Sequence, residues 1–127
     1  MKLLFKQPPW VLRPNGRGHW AERARVAKRL RVQARLMAMA VLRKDPSAWE
    51  GWVPVSYDIT WFFWAGLGPD ADNVVASCKA LIDGCADAFG VNDRELELGH
   101  VCRVKVKRCD VRAGYVNIYF NGIKNNV

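Results

Sequence analysis

The spacing of apolar positions changes along the chain, and each change marks an element. Residues 2–6 form a short opening strand that Pro8-Pro9 ends, and Arg13-Pro14-Asn15-Gly16-Arg17-Gly18 follows as a turn-rich, cationic loop. From 19 to 44 the residues are strong helix formers. Val26, Leu30, Met37 and Val41 lie near one stripe, and Asp45-Pro46 stops the pattern. Over 53–64 the period falls to two. Val53, Val55, Tyr57, Ile59, Trp61 and Phe63 share one side while Ser56, Asp58 and Thr60 share the other, as in a half-buried strand. Helical spacing returns over 73–89 through Val74, Cys78, Ile82, Cys85 and Phe89, with Gly90 as the stop. Two strands follow, 101–109 and 115–120, joined through Asp110-Val111-Arg112-Ala113-Gly114 as a hairpin. The order strand-helix-strand-helix-strand-strand predicts an α+β fold, one two-layer domain over 1–127 with a mixed β-sheet packed with two helices. A length of 127 residues that is 50% hydrophobic supports one sizeable core and no second domain.

Charge narrows the function. Lys and Arg number 20 against 12 Asp and Glu, a net +8, so the surface attracts polyanions, nucleic acid before anionic membrane. The first helix carries Arg23, Arg25, Lys28, Arg29, Arg31, Arg35, Arg43 and Lys44 with only Glu22 opposing them, which suits a phosphate-facing surface better than a merely solvated one. Arg103, Lys105 and Lys107 alternate with apolar residues, so the outer face of that strand reads as a cationic row, for phosphate contact or for protection of a sheet edge. Arg13, Arg17, Arg23, Lys28, Arg103, Lys105 and Lys107 are the expected phosphate contacts. The start of the chain has prolines and charge where a signal peptide needs its apolar stretch, and no apolar run reaches membrane-spanning length. A cytoplasmic protein with no membrane partner is expected.

Cys78 and Cys85, and Cys102 and Cys109, are spaced outside the usual zinc patterns and read as reduced, mostly buried thiols. The six tryptophans read as core or interface, with one free to stack on an unpaired base. His19 and His100 have no partner motif and receive no catalytic role.

The informative segment is Gly68-Pro69-Asp70-Ala71-Asp72-Asn73, which leaves a strand through a Gly-Pro turn and enters a helix with two carboxylates. Capping the helix accounts for Asp72 but not for Asp70. A further carboxylate, Asp93, follows the stop of that helix in Gly90-Val91-Asn92-Asp93.

Asp70-x-Asp72-Asn73, then Lys79-x-x-x-Asp83, then Asp93 after a glycine resembles the signature of RusA-type Holliday junction resolvases. Leu12-Arg13-Pro14-Asn15 through His19-Trp20 and the basic helix is similar to amino-terminal segments of phage and prophage members. The resemblance implies Asp70, Asp72 and Asp93 as metal-binding and catalytic aspartates and Lys79 as the catalytic lysine, supported by Asn73 and Asp83. In the family the lysine commonly follows the asparagine by three residues. Here Ala76 holds that position and Lys79 lies one turn on, displaced about 4.5 Å along the axis. Asn92-Asp93 stands where an acidic pair is often found. Residues 72, 79 and 83 fall within about 20° of one helical face, but Asp83 is roughly 16 Å along the axis from Asp72. Asp83 therefore cannot share a metal with Asp72 through that helix. Its simplest role is orienting Lys79, with an exposed ion pair as the alternative.

The expected function is a magnesium-dependent endonuclease, with manganese as a substitute, that hydrolyses phosphodiesters to resolve Holliday junctions in DNA recombination and repair. Magnesium prefers oxygen ligands and offsets phosphate charge. A lysine nearby stabilises charge on the reacting phosphate or protonates the leaving oxygen. Paired nicks across a four-way junction call for a homodimer. The alternatives are a phage nuclease acting on other branched DNA and a non-catalytic basic DNA-binding protein whose aspartates only cap and solubilise.

Overall fold

A computed structural model describes residues 1–9, 12–13 and 19–125. Its elements are β1 (Lys2–Lys6), α1 (Trp20–Lys44), β2 (Trp52–Phe63), α2 (Ala71–Phe89), β3 (Glu97–Lys105) and β4 (Tyr115–Lys124), with 3-10 turns at Pro46–Trp49 and Asp93–Glu95. This is the expected α+β order. The sheet runs β1-β4-β2-β3, with β2 and β3 parallel and the other neighbours antiparallel.

The expected hairpin between the last two strands is not formed, because β2 lies between them. α2 serves as the crossover that a parallel pair requires, delivering β3 to one edge of β2. Residues 106–114 then pass the end of β2 to its other edge, held by bonds from Val106 N to Phe63 O at 2.8 Å and Gly114 N to Phe62 O at 3.2 Å. β3 also starts and ends earlier than expected, leaving Cys109 in the link.

Leu3, Phe5, Ile59, Trp61, Val116, Ile118 and Phe120 form the sheet side of the core. Leu30, Ala34 and Ala38 of α1 and Val74, Cys78, Leu81, Ile82 and Cys85 of α2 form the helix side. Val26, Met37 and Val41 flank this contact half-buried, so the α1 seam is centred on smaller residues than the apolar stripe implied. Gly84 completes the seam: a Cβ there would overlap the Arg31 carbonyl oxygen and come within 2.9 Å of the Ala34 Cβ. Beside it Arg31 donates to both Asp87 carboxylate oxygens, at 2.7 and 2.8 Å.

Strand β2 departs from its simple alternation. Its pairing with β4 shifts between Pro54 and Ser56, and such a break reverses which residues face the core. Val53 and Val55 are consequently exposed, while Trp52 packs edge-on against Trp49 and Phe89.

On the sheet face away from the helices, Asp58 accepts from His100 N at 2.7 Å and Asn121 Nδ2 at 3.0 Å, tying β2 to both neighbours. These bonds hold its carboxyl below the ordinary range. A depressed pKa in the folded state gives stability above the ordinary value of about 4 that is lost as pH falls through the folded one. The stability gap between wild type and Asp58→Ala should therefore be widest near neutral pH and shrink below about pH 4. Urea midpoints across pH 7 to 2 check this; a constant gap would mean that Asp58 acts by packing alone.

Candidate functional site

Helix α2 begins where Gly66 and Gly68, both at positive φ, turn the chain out of β2. Asp70 is its N-cap, the Oδ1 accepting from Asn73 N at 2.9 Å. The capping role expected of Asp72 thus belongs to Asp70, two residues earlier, and Asp72 sits exposed in the first turn. Ser77, buried one turn on, donates to Asn73 O at 2.7 Å and keeps this end regular.

Lys79 projects from the middle of α2 with 67% of its side chain exposed. Its Nζ donates to Asp93 Oδ2 at 3.1 Å and to Asp83 Oδ1 at 3.4 Å. Asp93 reaches it because Gly90 closes α2 at φ 71°, and Asn92 then caps the short turn that Asp93 opens. The Asp93 hydrogen bond, more than Asp83, raises the Lys79 pKa and keeps the ammonium charged, while Lys79 lowers that of Asp93. Asp83 is pushed upward by burial, against the pull of Lys79. Tyr57 on β2 is raised by burial and lines a small cleft of about 120 Å³ with Lys79, Asp83 and Asp93. Sequence reasoning missed Tyr57 because its alternation marks it only as a core position.

The structure thus brings together Lys79, Asp83 and Asp93, and separately Asp70 and Asn73. It does not gather Asp70, Asp72 and Asp93: among the described residues no three His, Cys, Asp or Glu side chains lie close enough to hold a metal ion. Asp93 sits at the level of Lys79, which is seven residues and so about 10 Å along the helix from Asp72. As the side chains stand, the three aspartates do not fit a single magnesium ligand set.

Cations lie beside the middle of α2 and beside its start. Arg23 lines a groove of about 330 Å³ with Lys79 and Asp83, and its Nη1 donates to Arg13 O at 3.1 Å. Arg103 donates to Pro69 O at 3.1 Å, beside the start of α2. The cationic row of β3 faces the helix side rather than the outer side. Register pairs Arg103 with Trp61 and Lys105 with Phe63, while Cys102 and Val104 pair with Thr60 and Phe62 on the outer face. The row is exposed despite this because β3 is the edge strand. Lys28 and Lys107 are exposed on α1 and in the link after β3. Arg17 lies outside the described residues.

Cys78 and Cys85 are buried, their thiols pushed up to about 12 by desolvation, whereas Cys102 and Cys109 are exposed, contrary to the expectation of mostly buried thiols. At pH 8 a maleimide reagent should modify Cys102 and Cys109 in the folded protein and reach Cys78 and Cys85 only after denaturation. Labelling all four at equal rates would contradict the packed α2 core.

No protein-family model matches the chain. It is 33% identical over 123 residues to an uncharacterized protein of Xylella fastidiosa (strain Temecula1 / ATCC 700964), an alignment covering 91% of this chain and 74% of the relative. The chain belongs to the family of that protein. No helix among the described residues is long and apolar enough to cross a membrane.

Proposed function

We propose that the protein is a structure-selective DNA endonuclease of the RusA type, cutting phosphodiesters at four-way junctions. The observation that supports this reading best is the meeting of Lys79, Asp83 and Asp93, parts of the motif that are spaced apart in sequence, on the helix that Asp70 and Asp72 open. Arg13, Arg23 and Arg103 lie around that helix, where they would hold and orient the DNA backbone. Lys79, its proton held at Nζ by two carboxylates, would stabilise charge growing on the phosphate oxygens.

Dependence on magnesium or manganese belongs to this reading through the motif resemblance. The dispersed aspartates supply no step for such an ion. Paired incision requires two sites, and with one candidate cluster among the described residues the active species would be a homodimer. The test is cleavage of a synthetic four-way junction with and without magnesium, beside linear-duplex and flap controls. Symmetric nicks on the junction alone are expected; cutting of flaps in preference would redirect the reading to another branched-DNA nuclease. Magnesium-independent binding without cleavage would favour the second reading, a DNA-binding protein, for which Asp70 and Asp93 are already occupied by helix and lysine.

Both readings make phosphate contacts dominant. Replacing Arg103 and Lys105 together by Ala should flatten the slope of log K against log salt by about two if both touch duplex phosphates. An unchanged slope in fluorescence anisotropy would make those residues guards of the β3 edge.

A further inference from the structure

A groove of about 710 Å³ lies at the carboxyl end of β2, lined by the start of α2 and not by Lys79. Volumes of this order are those of small-ligand sites. One wall is formed by Phe63 and the glycine-rich 65–68 loop, in front of the buried Trp61 ring, and the Gly68 backbone packs so closely that a Cβ there would lie 3.0 Å from the Phe63 ring. Gln7 closes the floor, its Nε2 bonded to Phe62 O at 2.6 Å and Tyr115 O at 3.2 Å. Two guanidiniums supply charge. That of Arg13 lies over the Trp61 ring at 5.8 Å, and that of Arg103 reaches Pro69 O from the facing edge strand. Asp70, the one carboxylate among the described lining residues, keeps its charge while capping the helix, so two guanidiniums against it leave the groove net cationic by one charge.

A partly apolar lining that also carries two arginines, in a groove open to solvent, matches a unit with a flat ring at one end and a phosphodiester at the other. We propose that this groove binds a single unstacked nucleotide of the DNA, its phosphate on Arg13 and Arg103 and its base along the Phe63 and 65–68 wall. A regular duplex keeps its bases stacked inside and cannot fill such a groove, whereas a branch point or bulge offers one. The inference rests on the DNA-directed reading above and supplies a source of its structural selectivity, because Asp70 and Asn73 line the groove as well.

Anisotropy with the full chain would compare two short duplexes of one sequence, one continuous and one with a single unpaired nucleotide carrying 2-aminopurine. The bulged duplex should bind about tenfold tighter or more, the range that stacking of one base supports, with a change in 2-aminopurine fluorescence. Ala65→Trp, which fills the groove, should bring that ratio below about twofold. Arg103→Ala should weaken both duplexes but the bulged one more. A wild-type ratio near one overturns the proposal whatever the variants do. So does binding of thymidine 5′-monophosphate as tight as that of bulged DNA, which would make the groove a free-nucleotide site. A tenfold preference without junction cleavage would sink the endonuclease reading and leave the groove standing. Cleavage without preference would do the reverse, and absence of any DNA binding would remove both.

Discussion

Lys79→Ala is expected to slow single-turnover cleavage of a four-way junction by on the order of a hundredfold or more while changing junction affinity little. The argument is electrostatic. A preorganised cation near the phosphate acts where charge develops, and loss of one such group typically costs two to three powers of ten, or about 3–4 kcal/mol. Lys79 is preorganised in this sense because Asp93 and Asp83 hold it at 3.1 and 3.4 Å. The competing account is that Lys79 only bridges two exposed carboxylates. With 67% of its side chain in solvent, that bridge contributes less than about 1 kcal/mol, so Lys79→Ala would then leave both stability and cleavage nearly intact. A rate within about threefold of wild type at saturating enzyme and magnesium ends the catalytic claim. Lys79→Arg separates charge from shape and proton donation, since Arg keeps its proton. Asp93→Asn is informative beside it. If Asp93 acts by holding Lys79, the loss should be smaller than for Lys79→Ala and the double variant no worse than Lys79→Ala alone.

Gly84→Val is expected to destabilise the fold by about 3 kcal/mol or more, the largest effect of any single apolar substitution proposed for this chain. The side chain would have to occupy space held by the Arg31 carbonyl and the Ala34 methyl group of α1, and a backbone oxygen cannot rotate out of the way. Gly84→Ala gives the finer test. Helix propensity favours Ala by about 1 kcal/mol, so the net loss should be only about 1–2 kcal/mol as α1 shifts outward. A shift of this kind also strains the Arg31–Asp87 pair, which spans the same seam. Urea denaturation at neutral pH measures both variants. A stabilised Gly84→Ala would show that the two helices do not pack as closely as the structure has them.

What depends on neighbours along the chain was legible in the residues alone. Period-two and helical spacings located six elements in order, Asp45-Pro46 and Gly90 marked where the helices stop, and the composition marked one core under a basic surface. The motif residues were legible for the same reason: Asp70, Asp72, Lys79 and Asp83 belong to one helix and its cap, whose geometry is fixed by local bonds. Pairing between distant strands has no such local code. The stretch from 110 to 114 looks like a hairpin turn by composition, yet β3 and β4 flank β2 because the β2–α2–β3 crossover claims one edge and leaves β4 the other. The bulge near Val55 is equally invisible, since alternation continues through it in sequence while the pairing slips in space, which turned Val53 and Val55 outward. That Arg103 and Lys105 lie on the helix side, and that Asp93 returns to Lys79 rather than to Asp70 and Asp72, follows from how the elements pack. A carboxylate beyond the far end of a 19-residue helix goes where the reversal at Gly90 sends it, and here that is back along α2 only as far as its middle.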